Sequence, residues 1–161
     1  MRYRFNKVQV LLYFTFLTAC SSYVRINLDN LLKEKIQDAV ISGKEIIDFK
    51  EMAEFDWDSL IILAPYSRLD VLEQKYNVDF RPIYHTGIDH RENISLIVFF
   101  NEGKIVKMVM YGRYPGDFAE NKSEFVKRDQ AKYRVRNTNK KLSGGKDWIV
   151  VELIATTHNT P

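Results

Sequence analysis

The sequence predicts an α+β fold, a mainly antiparallel sheet with an N-terminal helix and a second helix packed on one face. Three observations carry this expectation. A helix-period apolar stripe follows residue 28, a run apolar at nearly every position occupies residues 59–64 with a second helical stripe behind it, and the rest of the chain is strand-like and includes a clear hairpin. The 161 residues are 45% hydrophobic and 28% charged, a composition ordinary for one domain with one core.

The first helix rests on Leu28, Leu31, Leu32, Ile36, Ala39 and Val40, with charged residues between them and Gly43 placed to end it. Ile46 to Phe49 reads as a short strand, and residues 50–54 as a link. Residues 59–64 are apolar on both faces, which favours a central strand, and Pro65 stops it. Ser67 with Asp70 resembles a capping box ahead of Leu69, Leu72 and Tyr76, so the second helix is expected to start there. Residues 77–92 read as a long polar loop. Residues 94–100 and 105–111 flank Asn101-Glu-Gly-Lys104 as a hairpin, its first arm interior. A second loop holds Pro115-Gly116. Ala131, Tyr133 and Val135 then alternate with Lys132, Arg134 and Arg136 in a half-buried strand, and residues 148–154 form the last one.

The N-terminus carries Arg2, Arg4 and Lys7, an apolar run over residues 8–19, and Leu17-Thr18-Ala19-Cys20-Ser-Ser. The run is short for a membrane span, and its basic flank and small-residue exit fit a secretory signal. Leu17-Thr18-Ala19-Cys20 resembles the lipobox of bacterial lipoproteins. That resemblance implies a signal peptide over 1–19, lipidation of Cys20, a tether over 20–27 and a domain over 28–161. It places the protein in the cell envelope, anchored to membrane by its N-terminal lipid. Ser21 and Ser22 then imply the periplasmic face of the outer membrane in a Gram-negative host. Cys20 is the only cysteine, so no disulfide competes for it. Acyl chains stabilise anchoring by about 0.8 kcal/mol per buried methylene, so two or three hold durably.

Losing the leader also changes the charge argument. Of 24 Lys and Arg, three leave with it, and the remaining 21 balance 21 Asp and Glu. A neutral domain gives no ground for nucleic-acid binding. The charges are segregated all the same: residues 122–147 hold nine cations and three acids. Lys132, Arg134, Arg136, Lys140 and Lys141 are therefore candidate contacts for an anionic membrane or an acidic partner; the alternative is an edge strand protected against pairing.

Candidate chemistry is sparse. Asp56 and Asp58 flank Trp57 as a carboxylate pair suited to a cation or to acid/base work, or as a polar lead-in to a buried Trp. His85 and His90, with Asp89 and Glu92, offer metal-type donors in an unfamiliar spacing, or a solvated loop. Gly144-Gly145-Lys146 lacks the Ser or Thr and the upstream glycine of a phosphate loop. No cofactor is expected. Phe55-Asp-Trp-Asp58, the apolar strand and Pro65-Tyr66 are together similar to a group of small, uncharacterised bacterial envelope lipoproteins over residues 45–111, a resemblance that implies an envelope domain and no activity. The function expected is a non-catalytic binding or scaffold lipoprotein, in envelope maintenance or toxin immunity. An envelope hydrolase or metal-dependent enzyme using Asp56 and Asp58 or His85 and His90 is the alternative.

Overall fold

Asp29 starts the first helix, α1 (Asn30–Ile41), by accepting a hydrogen bond from the Leu32 amide at 2.9 Å. Gly43 ends it with φ +75°: its amide reaches the Val40 carbonyl and the Lys44 amide reaches Ala39, the paired bonds of a left-handed helix terminus. The computed structural model that gives this geometry describes residues 26–154. Leu32, Ile36, Ala39 and Val40 are buried, whereas Leu28 and Leu31 stay exposed, so the stripe is narrower than the sequence suggests. Leu28 lies ahead of the helix and bridges Met108, and the Asp29 amide donates to the Met108 carbonyl at 2.8 Å. Ile26 also packs on the domain, so the segment expected as tether through residue 27 is already bound to the fold at its end.

Next come β1 (Ile46–Asp48) and a one-turn helix, α2 (Phe49–Met52), where the sequence suggested only a link. The strand β2 (Ser59–Leu63) follows, then α3 (Leu69–Tyr76). The hairpin is β3 (Ile94–Asn101) and β4 (Lys104–Gly112), and the chain finishes with β5 (Phe125–Lys127), β6 (Lys132–Lys141) and β7 (Asp147–Leu153). These form two antiparallel sheets, ordered β4-β3-β2-β5 and β1-β6-β7. The α+β fold is therefore as the sequence predicts, with β2 and β3 interior strands.

The two faces of the four-stranded sheet bury two separate cores, as the period-2 geometry of a strand requires. Leu60, Ile62, Ile97, Phe99 and Val109 meet α1, Phe49 and the inner face of the smaller sheet, with Ile47, Tyr133 and Val151. Ile61, Leu63, Leu96, Val98 and Phe100 meet α3 through Leu69 and Leu72. The two longer helices thus lie on opposite faces, not on one. A sheet whose strands are apolar at every position needs cover on both sides, and one helix supplies part of each.

Other expectations also change. Ser67 does not cap α3: its hydroxyl donates back to the Ala64 carbonyl at 2.7 Å, Arg68 holds the cap position, and Asp70 pairs with Arg68 at 2.5 Å. Residues 77–92 contain two 3-10 turns, Arg81–Thr86 and Ile88–His90, because Phe80, Ile83 and Ile88 are drawn into the second core. At the hairpin tip, Glu102 and Gly103 both have positive φ (50° and 72°), the two-residue turn that matches strand twist.

The loop between β4 and β5 fastens the sheets together. Phe118 is buried and meets Tyr111 edge-on at 5.1 Å, with Phe49 and Tyr133 at 6.4 and 6.2 Å. Asp117 pairs its backbone with β7, donating to Ile149 and accepting from Val151 at 2.8 Å each. Gly116, at φ +84°, passes so close that a β-carbon would sit 3.1 Å from methyls of both Val40 and Val151. No side chain fits there without displacing α1 or β7.

Candidate functional site

The structure places the residues singled out within 26–154 and does not draw them to one centre. Cys20 and the lipobox lie outside the described residues. Asp56 is exposed. Asp58 is exposed too, but its carboxylate is engaged: one oxygen accepts from the Ser59 hydroxyl and the other from the Glu102 amide, both at 2.6 Å. That amide is in the left-handed turn of the β3–β4 hairpin, so Asp58 clamps the hairpin tip to the start of β2. His85 and His90 are exposed on separate 3-10 turns. His90 lies 3.2 Å from its neighbour Asp89, while Glu92 accepts from the Tyr66 hydroxyl at 3.3 Å. Among the described residues no three His, Cys, Asp or Glu are grouped to hold a metal.

The basic strand β6 is not an edge where it begins. It pairs with β1 through Lys132 to Arg134 on one side and with β7 on the other, so edge protection does not explain Lys132 and Arg134. Cross-strand partners do. Lys132 reaches Asp48 at 3.1 Å, Arg136 reaches Glu152 at 3.1 Å and Glu120 at 4.0 Å, and Lys141 reaches Asp147 at 2.5 Å. Arg134 stands opposite Glu152 in register. The Arg136 hydrogen bond, aided by the charges of Arg136 and Arg134, holds the Glu152 carboxyl below the usual carboxylate range. Lys140 lies over the Trp148 ring at 5.7 Å. These pairs are exposed and water screens each of them, but together they tile the outer face with alternating sign.

A different group of cations stands without such partners. Trp57, with 3% exposure, is held edge-on by Phe99 at 5.1 Å. The Arg128 guanidinium carbon lies 5.5 Å from the Trp57 ring centroid. Backbone pairing fixes this arrangement: the Arg128 amide donates to the Asp58 carbonyl at 2.8 Å, and Lys127 pairs with Ser59 in the β2–β5 register. Lys50, Asp58, Ser59, Lys127, Arg128 and Asp129 line one open depression of about 800 Å³. Neither Lys50, Lys127 nor Arg128 forms an ion pair among the described residues, and the Arg128 Nε is buried with no acceptor.

Sequence reasoning missed this site although it named Trp57 and Asp58. Those two were read as a carboxylate-flanked Trp, and Lys127 and Arg128 were counted only within the positive block over residues 122–147; their convergence follows from the β2–β5 pairing, which three residues of β5 establish. Asp117, fully buried, was missed as well. Compared with family models, curated proteins and solved structures, the chain matches none. Among the described residues no helix is long and apolar enough to cross a membrane.

Proposed function

We propose that this chain is a lipid-anchored envelope protein that works as a binding or scaffold module, with Cys20 as its anchor. The observation that carries the reading is the junction between lipobox and fold. Ile26 packs on the second core and Leu28 and Asp29 pair with Met108, so the described domain begins within six residues of Cys20. Five linking residues, at about 3.3 Å each, span at most roughly 17 Å. A domain so held works at the bilayer surface.

Binding in place of catalysis is supported by what the nominated acids do. The Asp58 carboxylate is committed to the Ser59 hydroxyl and the Glu102 amide, and the His90 ring faces Asp89. The proposal extends to orientation. Lys132, Arg136 and Lys141 keep side chains 53%, 46% and 61% exposed despite their partners. With Arg134 and Lys140 they turn the outer face of β6 toward an anionic leaflet. Envelope maintenance and toxin immunity are the two roles this placement serves.

The anchor is tested by metabolic labelling with palmitate in a bacterial host. The wild-type chain takes up label and fractionates with membrane, and Cys20→Ala abolishes both labelling and leader cleavage. Label that persists in Cys20→Ala sinks the assignment.

A further inference from the structure

We infer that the depression bounded by Lys50, Lys127 and Arg128 is a binding site for a phosphate group. It goes beyond the anchoring proposal and does not depend on it, since every residue involved lies in the described domain.

This cluster gathers three cations from two segments of the chain around one depression. On β6, three cations are matched by carboxylates across the sheet. Around the depression, the guanidinium and both ammonium groups lack an ion pair among the described residues, while Asp58, one of the two acids that line it, spends its two oxygens on Ser59 and Glu102. A guanidinium Nε buried without an acceptor is costly unless a ligand supplies one. The Trp57 face positions that guanidinium.

The spread of the donors selects the ligand. A carboxylate presents its two oxygens on one planar edge, which suits a single guanidinium fork. A phosphate carries its charge on tetrahedrally placed oxygens, at least two of them non-bridging even in a diester, each with more than one acceptor site, so it can meet the guanidinium and two ammonium groups that approach from different segments, each bond charge-assisted. Asp129, on the same rim, is an acceptor for a hydroxyl beside the phosphate, as in a glycerol ester. Such a phosphate has two sources, free inorganic phosphate and the headgroup of an anionic phospholipid.

The test uses the full chain, labelled with nitrogen-15, in maltoside micelles. The sequence holds two tryptophans, so two indole N–H signals appear, and Trp148→Phe assigns them. Inorganic phosphate and glycerophosphoglycerol, the headgroup freed of its chains, are titrated separately, each against sodium chloride of equal ionic strength. The expected result is a saturable shift of the Trp57 indole with the Trp148 signal still. A response to the headgroup alone assigns the site to lipid, a response to phosphate alone assigns it to the free anion, and either supports the site. Arg128→Gln should weaken binding at least about tenfold, the loss expected for one charge-assisted contact. Lys127→Gln, on an exposed side chain, should weaken it severalfold with the fold intact, which keeps the test sound if Arg128→Gln unfolds. No saturable shift with either ligand, or a shift that sodium chloride reproduces, overturns the inference. Palmitate labelling of Arg128→Gln stays at the wild-type level, so failure here and failure of the anchor are read separately.

Discussion

Asp117 offers the sharpest test of how the two sheets are held together. It is the one fully buried carboxylate among the described residues. One oxygen takes the Arg113 Nε and Nη2 at 2.9 and 2.8 Å, and the other takes the Ala119 amide at 2.9 Å. Arg113→Met removes both guanidinium donors and leaves a buried negative charge with a single amide. Breaking a fully buried pair this way costs about 3–5 kcal/mol. Because the Arg113 side chain is 46% exposed, water screens the pair, and about 2–3 kcal/mol is the expected loss. Asp117→Asn removes the charge itself, and the half-exposed guanidinium can turn to solvent, so that variant should lose only about 1–2 kcal/mol.

The asymmetry is the point of the experiment. For a domain of this size 1 kcal/mol moves Tm by roughly 3–5 °C, so Arg113→Met should melt roughly 6–15 °C below wild type. The double variant should recover about 1 kcal/mol relative to the sum of the two, since the uncompensated charge is gone. Calorimetry or chemical denaturation of the four proteins closes the cycle. Should Asp117→Asn cost as much as Arg113→Met, or the cycle prove additive, the loop is held by its backbone pairs to Ile149 and Val151 and not by the buried charge.

Two further outcomes follow from the same geometry. Burial pushes the Tyr111 and Tyr133 hydroxyls well above the ordinary tyrosine value, so their contribution is fully present below about pH 10, the unfolded value, and is lost as pH rises toward the folded ones. Stability should then fall by about 1.4 kcal/mol per pH unit for each tyrosine, and Tyr133→Phe should remove about half of the slope; an unchanged slope in that variant would refute it. Replacing Lys132, Arg134 and Arg136 by Gln should weaken sedimentation of a Cys20→Ala chain with phosphatidylglycerol vesicles at low salt, and the difference should vanish as salt screens it. If the unsubstituted Cys20→Ala chain does not sediment at low salt, the β6 face does not orient the domain on a membrane.

What the sequence revealed of the fold was whatever a short window can encode. The run over residues 59–64 needed cover on both faces and became β2, between β3 and β5. Asn101-Glu-Gly-Lys104 needed left-handed backbone and became the hairpin turn, and Gly43 ended α1 for the same reason. Where the reading failed, the deciding contact was distant. Ser67 has the composition of a cap, but its hydroxyl and its amide both turn back to the Ala64 carbonyl behind Pro65. The strand β5 has only three residues, too few for any period, and exists because β2 offers it a free edge. Asp117 looks like an ordinary loop acid until β7 and Arg113 close around it.

The charges show the same division more sharply. Counting along the chain identified residues 122–147 as a positive block, yet the count treats every cation alike. The field outside the protein depends on which cations have carboxylates opposite them, and that is decided by register. Arg134 faces Glu152, 18 positions away in the chain, because β6 and β7 pair as they do; a one-residue slip would put Glu152 on the other face. Lys50 lay in a stretch that reads only as a link, and Lys127 and Arg128 were two of nine cations, but the fold sets all three on the rim of one depression, with Arg128 over Trp57. Three cations of the strand with the densest positive charge are therefore matched by acids, whereas the three around the depression, from two separate segments, are not. The phosphate site inferred beside Arg128 rests on that distinction, since it lies where the pairing fails.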